Sequence, residues 1–137
     1  MRRLAWVLAL VLLLSACGGD DREGSGRIFR FVQENQEMLE RCVQESDYAE
    51  IGGPVREVLV REDHVEFVCG GAGFGPETAY RGFFYTETDD VYAIWCAPPR
   101  GAFAETEGAW TWREPDGDNR CYVEHICGHF YYYDASF

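Results

Sequence analysis

Leu4 to Leu14 form an unbroken apolar run behind Arg2 and Arg3. This run decides which part of the chain is free to fold. A helix that crosses a bilayer needs ~20 apolar residues, more than this run contains. A positive start followed by a short apolar stretch is instead the pattern of a secretory signal that is removed on export. No second apolar run of that length follows. The folding unit is therefore expected outside the cytoplasm, with residues 1–16 gone.

The run closes on Leu14-Ser15-Ala16-Cys17. These four residues resemble the lipobox of bacterial lipoproteins: a branched apolar residue, two small ones, then cysteine. The resemblance implies cleavage before Cys17 and a diacylglycerol on its thiol, with no other cofactor expected. Two or more acyl chains, at ~0.8 kcal/mol per buried methylene, hold a protein stably on a membrane without a spanning helix. Gly18 to Gly26 carry no large apolar side chain and read as a flexible tether. Residues 17–26 are thus the lipidated cysteine and its tether, and residues 27–137 have room for one domain.

Charge narrows the partners. The formal net charge is -12, and the signal itself holds two of the basic residues, Arg2 and Arg3. Nucleic-acid binding wants a basic stripe and is not expected. Nor is adhesion to anionic headgroups beyond the acyl anchor. Every basic residue is arginine, which fits the codon bias of a GC-rich genome.

With Cys17 taken by lipid, Cys42, Cys69, Cys96, Cys121 and Cys127 remain. In an oxidising compartment two disulfides and one free thiol are the default. Leaving out any one of the five and pairing the rest three ways gives fifteen arrangements, and spacing does not choose among them. In an anaerobe all five can stay thiols.

Arg27 to Glu45 has helical period, with Ile28, Val32, Leu39, Cys42 and Val43 on one face, until Gly52-Gly53-Pro54. Val55 to Arg61 and His64 to Cys69 are β-prone runs around Glu62-Asp63, a hairpin pattern. Ala79 to Thr86 and Val91 to Ala97 follow as aromatic and β-branched runs, then the Trp-Thr-Trp run Ala109 to Arg113. Pro115-Asp116-Gly117-Asp118 is a turn. Phe130-Tyr131-Tyr132-Tyr133 reads as a last strand. The expected fold class is α+β: one N-terminal amphipathic helix packed on a five- to six-stranded antiparallel sheet.

The stretch Gly73-Phe74-Gly75-Pro76, Tyr80-Arg81-Gly82-Phe83-Phe84-Tyr85 and Asp89-Asp90 resembles a family of small, uncharacterised exported lipoproteins of Firmicutes type. Trp112, Gly117-Asp118-Asn119, Tyr122, Glu124, Ile126 and the closing Phe130-Tyr131-Tyr132-Tyr133-Asp134-Ala135-Ser136-Phe137 carry the resemblance to the end of the chain. It implies export and a shared fold, and it brings no catalytic residues. Cys121, Cys127 and His129 stand outside the resembling pattern.

The densest run of chemical groups is Cys121, His125, Cys127 and His129. On a strand these odd positions share a face, and thiolate and imidazole suit zinc or copper(I). Neighbours at two-residue spacing can share an ion; four along one strand span too far, and the spacing matches no standard zinc module. The bland alternative is two cysteines in disulfides beside two partly exposed histidines. A cysteine nucleophile with a histidine base would draw on the same segment, but no third orienting group or oxyanion site is in view.

The glycine loop from Gly70 to Gly75 lacks the helix that a phosphate cradle needs after it. Asp116-Gly117-Asp118-Asn119 begins like a calcium loop, but Cys127 stands where the closing glutamate belongs. Trp110 and Trp112 share a strand face and can stack on a ligand, or form half of a core. The expectation is a membrane-anchored, non-enzymatic binding module for an envelope protein, peptide or glycan. A metal-binding lipoprotein using residues 121 to 129 is the alternative.

Overall fold

The computed structural model describes residues 19–72 and 78–137. The signal, Cys17 and residues 73–77 of the glycine loop lie outside the described residues. The chain is α+β, and its described residues form two helices and a seven-stranded antiparallel sheet rather than one helix and five or six strands.

Helix α1 runs Gly19–Glu34 and α2 runs Gln36–Glu45. The expected single helix is interrupted at Asn35, whose backbone leaves helical geometry (φ -119, ψ 18) and whose side-chain amide donates to the carbonyl of Phe31 at 2.7 Å. Asparagine competes for backbone partners in this way, which is why it breaks helices. The apolar face survives the break: Ile28, Val32, Leu39 and Cys42 are buried. Each fully covered aliphatic side chain stabilises the packing by ~1.5–3 kcal/mol. α2 ends with Ser46 in the left-handed conformation (φ 51), its last carbonyls taken by the amides of Ser46 and Asp47.

Helix α1 also extends through residues 19–26, which sequence composition marks as tether. Gly24 there permits contact and not only flexibility: a Cβ on it would sit 2.5 Å from a guanidinium nitrogen of Arg81. A residue without a side chain lets the helix lie against the sheet. Among the described residues, no helix is long and apolar enough to cross a membrane.

The strands are β1 (Glu57–Val60), β2 (Val65–Ala72), β3 (Ala79–Tyr85), β4 (Ala104–Thr106), β5 (Ala109–Arg113), β6 (Arg120–Cys127) and β7 (Phe130–Ser136). They pair in the order β1-β2-β3-β7-β6-β5-β4, antiparallel throughout. The aromatic tail, as β7, is therefore the central strand. Its alternation divides the core: Phe130 and Tyr132 join the helix-covered cluster, Tyr131, Tyr133 and Ala135 the cluster on the other face. On the helix side Phe67 stacks on Phe83 with centroids 4.5 Å apart.

The second face is covered by residues 86–103, where a strand over Val91 to Ala97 was expected. These residues form successive turns instead. Asp90 explains the difference. Its carboxylate accepts from the Tyr92 amide (3.0 Å) and from both ends of the Arg100 guanidinium (3.2 and 2.6 Å), while its carbonyl accepts from Ala93. Local side-chain bonds of this kind outcompete a strand ladder. Val91, Ile94 and Cys96 point into the core from this segment.

Candidate functional site

Cys121, His125, Cys127 and His129 do not converge. Cys121 and His125 keep the strand alternation of β6, and Cys121 is 2% exposed in the cluster under residues 86–103. Between His125 and Cys127 the register with β7 slips by one residue. A bulge of this kind turns the following side chain to the other face, so Cys127 packs with the helix-side cluster. Gly128 (φ 52) then makes the tight turn that carries His129 to the rim. The expectation that all four share a face fails at this bulge. Among the described residues no group of three or more histidine, cysteine or acidic side chains could hold a metal ion.

The two histidines instead flank Asp89. His129 Nδ1 lies 2.8 Å from Asp89 Oδ1, and the Tyr131 hydroxyl donates to the same oxygen at 3.0 Å. His125 Nε2 bonds the Gly128 carbonyl at 2.8 Å, and its ring lies 5.1 Å from that of Tyr131. The His129 bond holds the Asp89 carboxyl below its usual range, aided by Tyr131. Burial, with the carboxylate beside it, pushes the Tyr131 hydroxyl up to about 12.

Trp110 and Trp112 do share a face, opposite Val123 and Cys121 of β6. Both are half-buried against the second core cluster, with the Trp110 ring 6.0 Å from that of Tyr131. The exposed aromatic pair is one that sequence alone did not single out: Trp95 (48% exposed) and Tyr80 (36%) meet edge to face at 5.3 Å. The Trp95 indole donates to Glu66 at 3.0 Å and the Tyr133 hydroxyl to the same oxygen at 2.6 Å. Glu66 is 2% exposed and its other oxygen has no protein partner.

Two neighbouring clefts lie among the described residues. One, of about 590 Å³, lies between the start of α1, the approach to β1 and the ends of β2 and β3, and its charged lining is Arg27, Arg56, Arg81, Arg120 and Asp134. Tyr80 of the exposed aromatic pair lines it too. The second, of about 770 Å³, continues past Arg120 and Asp134 along β5 and β6, adding Arg113, Tyr122 and Glu124. Four guanidiniums against one carboxylate make the first cleft basic, in a chain whose formal charge is -12.

Arg81 reaches Asp134 at 3.9 Å, and Arg120 Nε donates to the Ser136 hydroxyl at 2.9 Å. The positive field acts on the thiol of Cys69, which also lines the cleft, though burial dominates and pushes that thiol up to about 12. No sequence signal gathers these arginines. They come from a helix, a loop and two strands, brought together by the strand order.

In comparison with known proteins, no family model, curated protein or solved structure matches the chain.

Proposed function

We propose that the chain is a lipid-anchored, non-enzymatic binding module outside the cytoplasm, and that its cleft takes the anionic groups of an envelope polymer. The anchor rests on the Leu14-Ser15-Ala16-Cys17 box. The ligand class rests on one observation: Arg27, Arg56, Arg81 and Arg120 line a single cleft of an otherwise acidic protein. Guanidinium groups bind phosphate and carboxylate through paired, charge-assisted hydrogen bonds. The surrounding negative charge repels the same anions elsewhere, which confines them to the cleft. Tyr80 and the neighbouring Trp95 offer a stacking surface at its rim.

This reading is favoured over a metal site along residues 121–129, whose two cysteines lie in clusters on opposite faces of the sheet. It is also favoured over a ligand platform at Trp110 and Trp112, which are engaged in the core. The test is binding of polyphosphate and polyglutamate, with dextran as the neutral control, to the full chain in detergent. The wild type should bind the polyanions and not dextran. Arg56→Gln with Arg120→Gln should weaken that binding at least tenfold at unchanged thermal stability. Equal binding by the double variant, or none by the wild type at low salt, would sink the proposal.

A further inference from the structure

Cys96 and Cys121 reach each other from different elements. Cys121 is the second residue of β6, on the face beneath residues 86–103, and Cys96 lies within the turns that cover that face. They are 3% and 2% exposed, and their sulfurs lie 3.0 Å apart. A disulfide has its sulfurs ~2.05 Å apart, so closure asks for about 1 Å of movement by two side chains already facing each other. Ile94, Val123, Tyr133 and Ala135 belong to the same apolar cluster. Contact with Cys121 and burial push the Cys96 thiol up from its ordinary value.

The other thiols are occupied differently. Cys42 Sγ lies 3.6 Å from the Met38 sulfur, and Cys69 Sγ lies 3.6 Å from the Phe67 carbonyl. Cys127 packs, with Cys69, against the helix-side cluster, across the sheet from Cys96 and Cys121.

We infer that Cys96 and Cys121 are joined by a disulfide in the exported protein, and that Cys42, Cys69 and Cys127 remain thiols. This is none of the fifteen two-bridge arrangements that spacing left open: it replaces the default of two bridges by one. The oxidant is a disulfide donor of the exporting compartment, either a small disulfide or a dithiol oxidase. The bond forms before residues 86–103 close over the sheet, while both thiols can ionise. One thiolate attacks the donor's disulfide, giving a mixed disulfide and releasing one donor thiol. The second thiolate displaces the other donor sulfur. Two protein thiols are oxidised, one donor disulfide is reduced to two thiols, and the two protons lost by the cysteines end on them. The bond fastens the turn segment to β6 by a side-chain cross-link between the sheet and its cover on that face.

The experiment is a thiol-trapped peptide map. The full chain is extracted from membranes into denaturant with an alkylating agent and no reductant, then digested; a second sample is first reduced, unfolded and refolded in oxidised and reduced glutathione. A peptide pair linked through Cys96 and Cys121, with alkylated Cys42, Cys69 and Cys127, is expected in both. Cys96 or Cys121 alkylated in both samples, or either one linked to another cysteine, overturns the pairing. The linked pair in the glutathione sample alone supports the pairing and counts against export, so the two readings fail separately. The paired variant Cys96→Ala with Cys121→Ala supplies the control: its thermal midpoint should ignore reductant, while that of the wild type falls.

Discussion

Reducing the Cys96–Cys121 bridge should cost the domain a large part of its stability. The bridge would close a loop of 25 residues. On the chain-entropy account such a loop removes about 12 cal/mol/K from the unfolded state, or ~3.5 kcal/mol at 25 °C. A domain of this size unfolds in urea with a slope of ~1–3 kcal/mol/M, so the midpoint should fall by roughly 1–3 M when reductant is added. Trp95, Trp110 and Trp112 sit in or beside the affected cluster and give a fluorescence signal for the transition. The Cys96→Ala/Cys121→Ala variant should unfold near the reduced wild type and be indifferent to reductant. A wild-type midpoint that does not move on reduction, in protein shown to be fully alkylatable afterwards, would refute the reasoning.

Three further outcomes follow from named contacts. Tyr133→Phe removes one of the two donors to buried Glu66, whose Oε1 keeps the Trp95 indole, and a hydrogen bond contributes ~0.5–1.5 kcal/mol net; urea unfolding should show a loss in that range, and none would mean that the bond carries no weight. Asp89 has its carboxyl lowered from the ordinary value of 3.8, first by His129 and then by Tyr131. Its folded value therefore lies below its unfolded one, so its contribution is complete above the unfolded value and is lost as pH falls through the folded one. A carboxyl NMR titration should place its midpoint below 3.8, with His129→Ala raising it, whereas a midpoint at or above 3.8 would contradict the geometry. Cys17→Ala should move the protein from the membrane to the soluble fraction, and continued membrane retention would remove the anchor from the account.

Much of the scaffold is legible in the sequence because it is written in side-chain period. The buried stripe Ile28, Val32, Leu39 and Cys42 marks the helical face, and the alternation of Phe130 to Ala135 marks a strand covered on both sides. Other elements carry no such period. β4 is Ala104–Thr106, exposed throughout and fixed only by pairing with β5. β6 reads as a run of chemical groups, and its bulge, which separates Cys127 from Cys121, depends on hairpin register with β7. Val91 to Ala97 has the composition of a strand, but the Asp90 carboxylate holds it in turns.

The basic cleft was illegible for a related reason. Arg27, Arg56, Arg81 and Arg120 are scattered along an acidic chain, and they meet only because β7 is inserted between β3 and β6. Likewise Cys96 and Cys121 are neighbours because the turn segment folds back onto β6, which no spacing rule contains. Long-range pairing, not local propensity, builds both features.

The most direct measurement is arginine side-chain NMR of the labelled chain during titration with polyphosphate at low salt. The account expects the Nε–H signals of Arg27, Arg56, Arg81 and Arg120 to shift together and to return when salt is raised. Those of Arg30, Arg41, Arg61 and Arg100, which do not line the cleft, should stay in place. Shifts spread evenly over all arginines, or confined to the Trp110 and Trp112 indoles, would contradict the claim that this cleft is where the protein binds.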